Sequence, residues 1–213
     1  MGTAVKRAGL AEKREAIVRG ARAVFGRDGY TRASIGSIAK EADVSTRTIY
    51  NHFDGGKSEL FRVVVTEGAE QIVAAQLDLI DRYLRKVTDL ESDLVAFAHG
   101  WIEPLEKFPD HFALVRQLNA EVGHLPPELL EAWQEAGPRK TFRVLAERFA
   151  GLAAEGLIEA DDPERAALHF IHLTGTEVTA RSYHGAVPLP RKTVDELIAS
   201  GVRAYLRGYL PRG

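Results

Sequence analysis

The chain contains no cysteine, which excludes a disulfide framework, a thiolate metal site and a cysteine nucleophile. It also lacks any long apolar run. Stretches such as Val63–Val65 fall far short of the roughly 18–20 residues that a spanning helix needs, so no membrane span is expected. No apolar signal core opens the sequence, and a cytoplasmic protein is the default expectation. Proline is missing from the first 103 residues, and all nine prolines lie at or beyond Pro104. Strand-like alternation, internal repeats and low-complexity segments are missing too. Net charge is small, −2 over 213 residues, which by itself argues against nucleic acid, the usual partner of basic domains. What remains is 45% hydrophobic and 27% charged, the balance of an ordinary globular chain.

The charge is unevenly placed. Residues 1–60 hold 11 Lys and Arg against 7 Asp and Glu, a net +4; residues 61–213 hold 17 against 23, a net −6. Such asymmetry points to an interaction surface on the first part. Apolar spacing is helical nearly throughout. Ile17, Val18, Ala21, Val24 and Phe25 mark a helix over about 12–26, with Gly29 as its stop. A long helix is expected over about 57–86. Others contain Leu94 to Trp101, Phe112 to Asn119, Leu129 to Trp133 and Phe142 to Leu152, and two more span 163–183 and 191–209. Pro104 should kink or end the first of these. Asp162-Pro163 combines a cap with proline at the first helical position.

Residues 34–53 read as a helix-turn-helix. Ser34 and Ser45 stand as N-caps. Ile38, Val44 and Ile49 share a core, and Ala39 is small where two helices must cross. Asp43 falls at a turn position expected to have φ > 0, which Asp tolerates. The outer face of the second helix shows Thr46, Arg47, Thr48, Tyr50, Asn51 and His52, donors suited to phosphates and base edges. The plainer alternative is a hairpin with a merely polar surface; the absence of acids over 44–53 speaks against it.

The strings AVFGRDGYTRASI, SIAKEADVSTRTIYNHF and GGKSELF resemble the N-terminal domain of the TetR/AcrR family of bacterial transcriptional regulators over residues 12–61. The segment 106–135 resembles, more loosely, the effector domain of one subgroup. The resemblance implies an all-α chain: a three-helix DNA-binding domain over 1–56, then an effector-binding and dimerisation domain over 57–213. It implies that Thr46, Arg47 and Asn51 read bases, that Thr48, Tyr50 and His52 meet phosphates, that Ser34 caps its helix beside a phosphate, and that Lys57 opens the bridging helix, where the helix N-terminus and a cation together favour an anion. The turn from Phe53 to Lys57 is one residue longer than the commonest spacing, and Gly36 stands where many members carry a polar residue. The last two helices should pair across a homodimer on a palindromic double-stranded operator.

A ligand-responsive repressor is therefore expected, released by a small molecule in the helical core. Trp101, Asn119, Trp133 and His169 are the candidate pocket residues. His169 and His172 are three apart with Glu177 near, as a metal pair could be, but core or interface histidines are commoner and no metal is expected. No phosphate-binding glycine loop, nucleophile elbow or HExxH motif is present, and no cofactor or catalytic residue is assigned. An activator or architectural DNA binder without an effector, or a helical enzyme with a similar hairpin, stays open.

Overall fold

Ser34, Ser45, Asp89 and Asp162 each accept a backbone N–H three residues on through the side chain, and a helix starts after each. These caps satisfy amides that have no partner inside the helix. In the computed structural model, which describes the backbone of residues 2–211 and the side chains of residues 9–211, all regular structure is helical. Residues 1, 212 and 213, at the outer ends of the two expected domains, lie outside the described residues.

The elements are α1 (Gly2–Arg32), α2 (Ile35–Glu41), α3 (Thr46–His52), α4 (Gly56–Leu84), α5 (Leu90–Ile102), α6 (Pro104–Lys107), α7 (Pro109–Glu121), α8 (Pro127–Ala136), α9 (Pro138–Ala154), α10 (Pro163–Ile171), a π turn (His172–Thr176), α11 (Glu177–Arg181) and α12 (Arg191–Tyr209). Pro104 ends α5 as expected and starts α6 one residue later. Two expectations need correction. Gly29, at φ 77° and ψ 173°, breaks α1, but the chain stays helical to Arg32. The amides exposed by the break are accepted by one carboxylate: Tyr30 and Thr31 donate to Glu121 at 2.7 and 3.2 Å. The helix expected over 163–183 is divided by the π turn. There the Leu173 carbonyl lies against Gly201 of α12, close enough that a Cβ at 201 would collide with its oxygen.

Packing gathers the chain into two compact units. One runs to Ala69 and resumes over Asp110–Gln134; the other takes Glu70–Pro109 and the described residues from Glu135 on. In the first, Ile17, Phe25, Ile38, Ile49, Leu60 and Phe61 are fully buried, and Leu114, Leu118 and Leu129 of α7 and α8 join the same core. The second is built around Phe97, Phe149, Phe170 and Tyr205. Their rings meet at 5.2–6.1 Å between centroids, the spacing of favourable tilted aromatic pairs.

Candidate nucleic-acid interface

The α2–turn–α3 segment is fixed from both ends. Ser34 and Ser37 form a reciprocal capping box: the Ser37 amide donates to Ser34 Oγ, and the Ser34 amide donates to Ser37 Oγ, both at 3.0 Å. Asp43 takes the left-handed conformation expected of the turn, φ 52°. Val44 donates back to the Ala39 carbonyl at 3.0 Å, closing the end of α2. Ser45 then caps α3. It accepts the Thr48 amide at 3.0 Å, and the two hydroxyls lie 2.8 Å apart. Ile49 and Phe53 turn into the core.

That leaves Thr46, Arg47, Tyr50 and Asn51 exposed on α3, with Thr48 and His52 half-buried beside them; Ser34 is exposed at the start of α2. Tyr50 is 52% exposed, an unusual degree for a large aromatic, and its ring lies against Gly56, where a Cβ would come within 3.3 Å of a ring carbon. The first turns of α2 and α3 carry no acid. A short helix with an exposed face of hydroxyl, guanidinium, amide and phenol groups can enter a major groove and donate to base edges and phosphates.

Lys57 departs from expectation. Its ammonium donates to the carbonyls of Tyr30 and Ala33 at 3.1 and 3.2 Å and stands 4.5 Å from the centre of the Tyr30 ring. The end of α1 leaves these carbonyls open, and a cation is favourable there. Lys57 therefore ties α4 to α1 and is not presented as a free phosphate contact.

The four candidate pocket residues are divided between the two units, Asn119 and Trp133 in the first and Trp101 and His169 in the second. Trp101 lies in the second unit, 5.7 Å from Phe97 and 6.1 Å from Phe142 between ring centres. Asn119 is on the exposed side of α7 and Trp133 packs on the core of the first unit. His169 is exposed and shares a 2.7 Å hydrogen bond with the Tyr209 hydroxyl; His172 does the same with Thr176 at 3.0 Å. The second unit instead holds an open cavity of about 690 Å³ whose lining includes Leu79, Tyr83, His99, Ile102, Glu106 and Arg191. Burial pushes the His99 imidazole pKa down, the nearby Arg191 adds to this, and Asp195 opposes it. No local pattern marks these residues, because they come from four separate helices.

An exposed, capped, acid-free recognition helix on a three-helix head, followed by a helical body, defines a helix-turn-helix DNA-binding regulator. Residues 17–64 match the family described as bacterial regulatory proteins of the tetR type, and residues 94–211 match the C-terminal domain of AefR-like transcriptional repressors. The chain belongs to the TetR family of transcriptional regulators, which are DNA-binding proteins and not enzymes. It is similar to a protein described as a TetR-family transcriptional regulator from Mesorhizobium loti MAFF303099, at 26% identity over 95% of this chain and 98% of that one, with a TM-score of 0.80. It is also similar to the flavonoid-responsive regulator FrrA, at 26% identity, 95% and 100% coverage and a TM-score of 0.72. A TetR-family regulator from Pseudomonas syringae pv. tomato DC3000 matches at 25% identity, 93% and 97% coverage and a TM-score of 0.71. No curated protein matches by sequence. Among the described residues no helix is long and apolar enough to cross a membrane.

Proposed function

We propose that this regulator is a cytoplasmic repressor that binds a palindromic operator as a homodimer and leaves it when a small molecule enters the body of each subunit. The exposed face of α3 carries the reading: Thr46, Arg47 and Asn51 stand where bases would be read, and Thr48, Tyr50, His52 and Ser34 where phosphates would be held. Residues 1–56 form the reading head; residues 57–213 receive the effector and pair the subunits. The likeness of residues 94–211 to AefR-like repressors supports repression over activation. Two heads on one palindrome, about 34–36 Å apart, make a net charge of +4 on residues 1–60 sufficient, because phosphate contacts sum over both copies.

The cavity bordered by Leu79, Tyr83 and His99 is the proposed effector site. Trp101 follows its lining residues His99 and Gly100 on α5 and reports on it by fluorescence. The flavonoid-responsive relative makes planar aromatic molecules the first class to try. Release requires that the effector prefer a subunit arrangement that does not fit the operator.

A gel shift on the DNA upstream of the gene tests the reading. Arg47→Ala should cost operator affinity about 1–3 kcal/mol, as expected for one lost base contact, with little change on scrambled DNA, and Tyr50→Phe should weaken both. Unchanged operator affinity in both variants refutes it. Effectors that release the DNA should quench Trp101 fluorescence.

A further inference from the structure

The family match begins at residue 17, yet α1 runs through the residues before it without interruption. Leu10, Lys13, Arg14 and Ile17 fall at i, i+3, i+4 and i+7, one face of a helix. Ile17 is fully buried in the core of the head. One turn back, Arg14 is held in place: its guanidinium pairs with Glu67 of α4 at 3.0 Å and stands 5.5 Å from the centre of the Phe53 ring at the end of α3. This face is therefore anchored beside α3. Between them runs a groove of about 470 Å³, lined on one wall by Leu10, Ala11, Lys13 and Arg14 and on the other by Thr48, Asn51 and His52 of the recognition helix. Lys13 is exposed and makes no ion pair among the described residues. Leu10, 49% exposed, ends the face beside it.

We infer that Lys13 is a DNA-backbone contact lying outside the helix-turn-helix, its ammonium neutralising a phosphate that runs along the groove between α1 and α3. The inference rests on the reading that α3 enters DNA. Arg14 acts as a positioning residue, because its charge is already matched by Glu67. Thr48 and His52, both half-buried, form one wall of a channel whose other wall carries a cation, the arrangement that tracks a polyanion. A phosphate contact supplies affinity without sequence information, so Lys13 strengthens binding to every duplex alike.

The test uses the full-length protein and fluorescence anisotropy on two labelled duplexes, one from the gene's own upstream DNA and one scrambled, between 50 and 200 mM salt. Each phosphate neutralised contributes about 0.9 to the slope of log K against log salt. Lys13→Ala should therefore flatten that slope by about 1.8 for a dimer and weaken both duplexes by the same factor. Lys13→Arg should restore it. A Lys13→Ala slope equal to the wild-type slope overturns the inference whether or not affinity falls, since mere loosening of α1 would lower affinity without changing ion release. If that happens while the wild type still prefers its operator, only this inference fails. If the wild type does not discriminate between the duplexes, the underlying reading fails with it.

Discussion

At the scale of single residues, His111 has the clearest consequence. It is 8% exposed, its Nδ1 has no hydrogen-bond partner, and the Arg22 Nε is likewise buried and unpartnered. The backbone of Gly68 approaches it so closely that a Cβ there would lie 2.7 Å from Nδ1. Burial, with the Arg22 charge in support, lowers the imidazole pKa from 6.5 to about 4. The folded chain therefore resists a proton that the unfolded chain accepts. Stability is intact above about pH 6.5 and is lost as pH falls from there towards about 4. With about 1.4 kcal/mol per pKa unit, the loss attributable to His111 is about 2 kcal/mol at pH 5 and about 3 kcal/mol when complete. Urea midpoints at pH 7 and pH 5 should reveal it: His111→Gln, unable to titrate, should lose less stability between the two by about 2 kcal/mol. Equal losses in both proteins would show that His111 already titrates normally when folded.

At the scale of elements, close approach of backbones decides what sequence periodicity cannot. Gly201 on α12 lies against the π turn, where an added Cβ would collide with the Leu173 carbonyl oxygen and come within 3.0 Å of the Thr174 Cα. Both obstacles are main chain and cannot rotate away. Gly201→Ala, which raises helix propensity, should nonetheless destabilise the second unit by about 1–3 kcal/mol through overpacking. Thermal unfolding followed by circular dichroism measures it, and a raised midpoint would mean that α12 slides freely on the π turn. The same contrast shows how much of the fold was legible. Caps at Ser34, Ser45, Asp89 and Asp162, the positive φ at Asp43 and the bounds of α12 are local, and residue chemistry declares them. The bond from Glu121 to the amides of Tyr30 and Thr31 joins residues about ninety positions apart, and nothing near Glu121 announces it. Lys57 matched a motif, but its partners are carbonyls exposed by the end of another helix. The face of α3 was readable because its apolar residues must turn inward; the cavity proposed for the effector was not, because no single helix builds it.

At the scale of the whole molecule, the charge sums and the outer face of α12 bear on assembly. Residues 61–213 are net −6 and residues 1–60 net +4, so the charge distribution favours approach of the head to DNA. Ser200, Ala204 and Gly208 recur at helical spacing along α12 and are all exposed. Leu173 and Leu210 are also 45% and 47% exposed. Small residues let a second helix approach closely, and exposed leucines gain by being covered, at roughly 25 cal/mol per Å². These features suit a twofold pairing of this face with its copy, where each residue meets the partner's equivalent surface. Ala204→Arg would place a long cation opposite its own copy. The variant should sediment as a folded monomer with unchanged helix content, whereas the wild type should sediment as a dimer at micromolar concentration. Operator affinity should then fall by about 10²–10⁴, the factor lost when two linked heads become two separate ones, and the salt slope should halve. A wild-type protein that sediments as a monomer, or an Ala204→Arg variant that stays dimeric with full affinity, would move the subunit contact away from α12.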